Sequence, residues 1–178
     1  MAQYWAQCPR LRRQVRDSMP ASPSVRLATP SDARAIANFS RDFIEYGLGW
    51  GYTEAKIIRA VQSTTTNVAV VSESGILSAF GIMDYGDTSA HLVLLGVRPA
   101  DQRQGLGTHI LHWLEQCAVT AGLERVRVEA RADNSQAIAF YQKHGYQVRN
   151  KISGYYRGIL DAVRLEKTLG IFSNEPNS

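Results

Sequence analysis

The spacing of apolar residues changes several times along this chain, and each change marks an element. Val25-Arg26-Leu27-Ala28 predicts a short strand, after which Thr29, Pro30, Ser31 and Asp32 supply a helix start. Ile36, Phe39, Phe43 and Ile44 give that helix one buried face. Residues 46–52, rich in glycine and aromatics, read as a loop, and Thr53 opens a second helix carrying Ile57, Ile58 and Val61. The period then falls to two. Residues 68–71 and 76–83 predict a hairpin turning at Glu73-Ser74-Gly75, and residues 84–87 turn the chain into a strand over 91–97. A helix from Gly107 to about Ala121 stops at Gly122. Residues 125–130 alternate strictly, as a half-exposed strand does, and Asp133 or Asn134 caps a helix over 135–144. Strands at about 146–149 and 160–167 complete the order β-α-α-β-β-β-α-β-α-β-β. That order predicts an α/β fold with one central mixed sheet flanked by helices.

Composition narrows the class. At 178 residues the chain is expected to form one domain that buries about 70% of its unfolded surface. No apolar run approaches the ~20 residues that cross a bilayer, so no membrane partner is expected. Cys8 and Cys117 are too few for a disulfide framework, which suits a reducing, cytoplasmic setting. Cys117 falls on the apolar face of its helix and reads as a small buried hydrophobe. The net charge of +4 would suggest nucleic acid, but four arginines and one aspartate put +3 of it in residues 1–23, leaving +1 for the rest. No nucleic-acid partner is therefore expected. Residues 1–23 read as a flexible basic extension with no secretory signal. They resemble an organellar transit segment only in being Arg-rich and acid-poor, and Met19 offers an internal start. The folded domain is expected over 24–169, with a tail over 170–178.

The chemistry begins at Gln102-Arg103-Gln104-Gly105-Leu106-Gly107-Thr108, between an apolar strand and an apolar-faced helix. The first N–H groups of a helix lack internal partners and sit in positive potential, so this junction is an anion cradle. Gly105 and Gly107 let a phosphate reach the backbone with no Cβ in the way. A dinucleotide fingerprint would need a third glycine where Ile110 stands, and no Gly-Lys-Ser/Thr triplet of a nucleotide triphosphatase occurs. A second motif lies about 30 residues on: Asn134-Ser135-Gln136-Ala137-Ile138-Ala139-Phe140-Tyr141-Gln142-Lys143-His144-Gly145-Tyr146.

Together the two motifs resemble those of the GNAT acetyltransferase superfamily, Gln-x-x-Gly-x-Gly followed by Asn-x-x-Ala-x-x-(aromatic or Leu)-Tyr-x-x-x-Gly-(Phe/Tyr). The resemblance covers residues 24–169. It implies acetyl transfer from acetyl-CoA to an amine, on a mostly antiparallel sheet whose fourth strand is bulged and splayed from the fifth. The pantetheine would pair with the fourth strand at Leu95 and Val97, and Gly96 is compatible with the bulge. Gln102, Arg103, Gln104, Gly105, Gly107 and Thr108 would take the pyrophosphate, and Asn134 would reach the pantetheine.

Tyr141 matches the tyrosine that donates a proton to the departing sulfur. The position of the family's common base glutamate holds His91, which titrates near neutrality; Glu129 and ordered water stay open as alternatives. Asp84, Tyr85, Asp87 and the 46–52 loop are expected near the acceptor, with Trp50 and Tyr52 as candidate walls. Tyr155-Tyr156 resembles the tyrosines near the peptide site of N-terminal protein acetyltransferases. The expected acceptor is a small-molecule amine, with a peptide N-terminus or a non-catalytic acyl-CoA-binding module as alternatives. A homodimer is left open. The four histidines, His91, His109, His112 and His144, lack ligand partners at metal spacing, so no metal is expected.

Overall fold

A computed structural model describes residues 24–73 and 75–170; the basic extension, the end of the C-terminal tail and the hairpin residue Ser74 lie outside them. Seven strands form one sheet: β1 (Arg26–Leu27), β2 (Thr66–Glu73), β3 (Ile76–Tyr85), β4 (Ser89–Val97), β5 (Arg125–Arg131), β6 (Gln147–Tyr156) and β7 (Leu160–Thr168). Their spatial order is β1-β2-β3-β4-β5-β7-β6. Every pairing is antiparallel except β4 with β5. The helices are α1 (Ala33–Phe39), α2 (Glu54–Gln62), α3 (Leu106–Thr120) and α4 (Ser135–Lys143).

Each face of the sheet buries its own core. Ile110, Leu111, Leu114 and Ala118 of α3 pack on Met83, Leu92, Val126, Val128 and Leu165. On the opposite face Ile36 and Phe39 of α1 and Ile57 of α2 pack on Val68, Val70, Phe80 and Ile82. Strands β2 and β3, covered on both sides, carry continuous buried runs, whereas β5 alternates because its second face is open. That open face carries Arg127, Glu129 and Arg131. Beneath the other face, buried Glu115 accepts from the Tyr146 hydroxyl (2.9 Å) and from Lys167 (2.7 Å), tying α3 to the segment after α4 and to β7. Among the described residues no helix is long and apolar enough to cross a membrane.

The predicted element order holds, with local corrections. Phe43 does not join the α1 core; it is 55% exposed. The chain leaves α1 through a π turn, Ser40–Ile44, in which Glu45 N bonds Ser40 O, and the wider turn rotates Phe43 outward. The first strand is shorter than expected and β6 much longer. Most of β6 is exposed at the sheet edge, so it lacks the alternation that marks a half-buried strand. Cys117 is only partly buried, and its desolvation pushes the thiol up.

Candidate active site

The pairing of β4 breaks in the middle of the strand. Met83 pairs with Leu92 and Ile82 with Leu94, so Val93 is an extra residue, a β-bulge. Gly96, expected at the bulge, lies instead in regular register with Phe80. Its missing Cβ serves packing, since one built there would stand 2.8 Å from the Phe39 ring and 3.0 Å from Ile44. The parallel ladder to β5 runs only from Ser89↔Arg125 to Leu92↔Val128 and stops where the bulge begins. Past it the strands splay, and the β5-facing backbone groups of residues 94–97 have no ladder partner among the described residues. A cleft of about 1310 Å³ fills the gap, and Leu95, Val97, Asn134 and Tyr141 line it.

At one end the strand leaves through a 3-10 turn, Pro99–Asp101, held by Arg98 Nε on Asp101 (2.7 Å). Gln102 folds back to donate to Val97 O at 3.3 Å. Arg103 (φ +63°) and Gly105 (φ +83°) both take left-handed backbone, and Gly105 is the N-cap of α3. His109 N is the first amide to bond within the helix, to Gly105 O at 3.0 Å, so the preceding amides are free to meet an anion. Gly105, Gly107 and Thr108 line the cleft with Gln102 and Arg103; Gln104 does not. Thr108 Oγ1 lies 3.0 Å from His144 Nε2, while His144 Nδ1 bonds Phe140 O at 2.8 Å. That pair fixes the neutral imidazole as an acceptor for the Thr108 hydroxyl. Asn134 caps α4 by accepting from Ala137 N at 2.9 Å, leaving its amide NH₂ uncommitted among the described residues. The free strand edge and free amides fit a pantetheine and a pyrophosphate in turn.

At the other end His91 and Glu129, expected as rivals, are one unit. His91 Nε2 lies 2.6 Å from Glu129 Oε2, and Arg164 Nε donates to Glu129 Oε1 at 2.8 Å. Burial alone would raise the Glu129 carboxyl, but these two bonds and the attached charges hold it at about 2. An ionised Glu129 accepts a hydrogen bond from His91 Nε2–H, which leaves Nδ1 as the acceptor nitrogen of that tautomer. A carboxylate that binds protons so weakly is itself a poor base at neutral pH. Tyr141 is buried except for a residual 6%, and its hydroxyl has no hydrogen-bond partner among the described residues. Burial pushes that phenol well above its ordinary value, so it stays protonated. Tyr156 donates to Glu129 O at 3.2 Å, and burial raises it to about 12.

The loop after α1 closes this end. Glu45 accepts from Gly51 N (2.7 Å), Tyr52 N (3.2 Å) and the buried Ser40 hydroxyl (2.9 Å), pinning the loop around one carboxylate. Trp50, 42% exposed, donates to Tyr52 O and does not line the cleft, whereas Tyr52 does. Asp84, Tyr85 and Asp87 stand outside the lining: Asp84 accepts from Thr66 and Tyr85 from Asn67. The contacts that Arg164, Glu45 and His144 make at the cleft were missed by sequence reading. Arg164 stands opposite Glu129 in the β5–β7 register, but β7 shows no alternation that would have marked it.

The family model described as the acetyltransferase (GNAT) family matches residues 36–146. The [ribosomal protein bS18]-alanine N-acetyltransferase of Escherichia coli (strain K12) is 33% identical over 86 residues, 48% of this chain and 58% of that protein. The crystal structure of the ribosomal-protein-S18-alanine N-acetyltransferase from Escherichia coli superposes with TM-score 0.73 at 23% identity, covering 87% of this chain and 99% of that one. That of the PaiA N-acetyltransferase from Thermoplasma acidophilum in complex with coenzyme A superposes with TM-score 0.71 at 16% identity, covering 82% and 98%. The chain spans 46% to 61% of the length of the first curated relatives it matches.

Proposed function

The chain belongs to the GNAT acetyltransferase family, and from that premise we propose that it moves the acetyl group of acetyl-CoA directly onto a primary amine. The observation that carries the reading is the pairing of a Glu129-oriented His91 with a protonated, unpartnered Tyr141 in one splayed cleft. The free edge of β4 and the free amides of α3 hold the donor, whose thioester supplies the activated acetyl group. An alkyl ammonium has no lone pair, so His91 Nδ1 takes a proton from the amine, directly or through one water. Glu129 keeps Nε2–H in place and stabilises the imidazolium that forms. As nitrogen bonds to the carbonyl carbon the C–S bond breaks, and Tyr141 donates its O–H to the developing thiolate. Its raised pKa favours donation late, when charge on sulfur is largest. The second proton, shed by the new amide nitrogen, returns through water to the Tyr141 oxygen, while His91 gives the first proton to solvent.

The acceptor in this reading is a small-molecule amine. Supporting it, the loop after α1 is held over the acceptor end from two elements: Arg131 at the end of β5 donates to Tyr46 O at 3.4 Å, and Arg157 of the β6–β7 turn lies against Gly49. A second reading, a peptide N-terminus, draws support from the Escherichia coli relative's printed activity and from Tyr155 and Tyr156 lining the cleft. The test offers wild-type protein and acetyl-CoA a panel of amines and short peptides, with CoA release and product mass as readouts. Acetylated amine confirms the reaction. A protein that binds acetyl-CoA and transfers to neither class contradicts it.

A further inference from the structure

Two residues other than glycine adopt left-handed backbone among the described residues, and both are arginines: Arg103 (φ +63°) and Arg157 (φ +55°). Left-handed backbone is unfavourable for a residue with a Cβ and persists where the surrounding structure holds it. Both line the cleft, at its opposite ends. Neither side chain has a hydrogen-bond or ion-pair partner among the described residues, although most arginines of the fold are paired with a carboxylate. Arg103 belongs to the anion cradle, where an unspent guanidinium has an evident use. Arg157 has the same conformation, exposure and lack of partner at the acceptor end.

The acids nearby cannot satisfy it. Glu45 is committed to Gly51, Tyr52 and Ser40, Glu129 to His91 and Arg164, and Asp133 to Arg131 at 2.8 Å. The Arg157 guanidinium is therefore left with no carboxylate in direct contact among the described residues. Its position is defined from two sides. The Tyr156-Arg157-Gly158-Ile159 turn is closed by Ile159 N on Tyr156 O (3.0 Å) and Gly158 N on Gly154 O (2.8 Å). The guanidinium lies across the loop after α1, with Nη1 only 2.8 Å from where a Cβ on Gly49 would stand. Tyr156, the neighbour of Arg157, donates to the backbone of Glu129, the residue that orients His91. The fork is thus fixed one residue away from the group that contacts the proposed base unit.

We propose that Arg157 is a specificity-determining residue and that the acceptor carries an anionic group, a carboxylate or phosphate, beside its amine. A planar guanidinium binds either in bidentate fashion and would turn the amine toward His91. This deepens the acetyltransferase reading and rests on it.

The test compares paired acceptors with and without an anionic group: glutamate α-amide against glutamine α-amide, phosphoethanolamine against ethanolamine, and Ala-Glu amide against Ala-Gln amide as the peptide source. Wild type is expected to prefer the anionic member by 10-fold or more in kcat/KM. Arg157→Gln removes that preference, mainly through the KM of the anionic acceptor, leaving the KM for acetyl-CoA within two-fold, and Arg157→Lys restores part of it. The pair in which the preference is seen identifies a small-molecule or a peptide source. Equal use of both members by wild type, or a preference that survives Arg157→Gln, overturns the proposal while the reaction stands. Transfer to no member overturns the reaction and this inference with it.

Discussion

Replacing Glu129 by glutamine removes one negative charge from the middle of the His91–Glu129–Arg164 row while keeping the side chain's shape. The Glu129 side chain is 3% exposed and its carboxyl lies at about 2 rather than the ordinary 4.5. That difference stabilises the folded chain by about 3 kcal/mol at pH 7, an upper figure because the cleft admits water beside the pair. The folded carboxyl binds protons less readily than the unfolded one. Its contribution is therefore complete above pH 4.5 and is lost as pH falls through 2. For a chain of this size, 3 kcal/mol corresponds to a fall in melting temperature of roughly 6–12 °C. Thermal melts of wild type and Glu129→Gln at pH 7, 5, 4 and 3 should show the gap narrowing by more than half at pH 3. Melting points that coincide at pH 7, or a gap constant down to pH 3, would refute the linkage. The same substitution should lower kcat about 100-fold while sparing acetyl-CoA affinity, because the imidazole loses the partner that sets its tautomer.

Tyr141→Phe keeps the buried ring and should cut turnover about 100-fold, with acetyl-CoA affinity by calorimetry within two-fold; unchanged turnover removes the acid role. His91→Ala should lower kcat about 100-fold with acetyl-CoA affinity by calorimetry within two-fold, because the amine loses its proton acceptor. Turnover that is unchanged assigns the base elsewhere. Deleting Val93 would restore regular pairing of β4 with β3 while every flanking side chain keeps its face. The protein should stay folded by circular dichroism and lose acetyl-CoA affinity more than 100-fold, whereas retained affinity would show that the bulge does not open the cleft.

The parts of this site that depend on local chain chemistry were legible in the sequence. Gly105 and Gly107 between a strand and a helix announce free amides, and Asn134 announces a helix cap, because a few neighbouring residues suffice for each. The bulge was misplaced because residues 92–95 are uniformly apolar and give no sign of a one-residue shift; it is visible only in the register against β3. The His91–Glu129 pair joins residues 38 apart, and its choice of roles depends on Arg164 from a third strand. Neither residue type nor spacing carries that information. Glu45 lies in a segment whose pattern promises only a helix end, yet the bonds it makes to a loop six and seven residues on form one wall of the acceptor region.

The measurement that tests the central claim most directly is a calorimetric titration of the purified full chain with acetyl-CoA, with ATP and NAD as controls. Saturable one-to-one binding of acetyl-CoA, absent for NAD and weak or absent for ATP, is the expected result. No heat with acetyl-CoA, or equal binding of all three, would contradict a cleft built by the splay of β4 from β5 to hold an acyl-CoA.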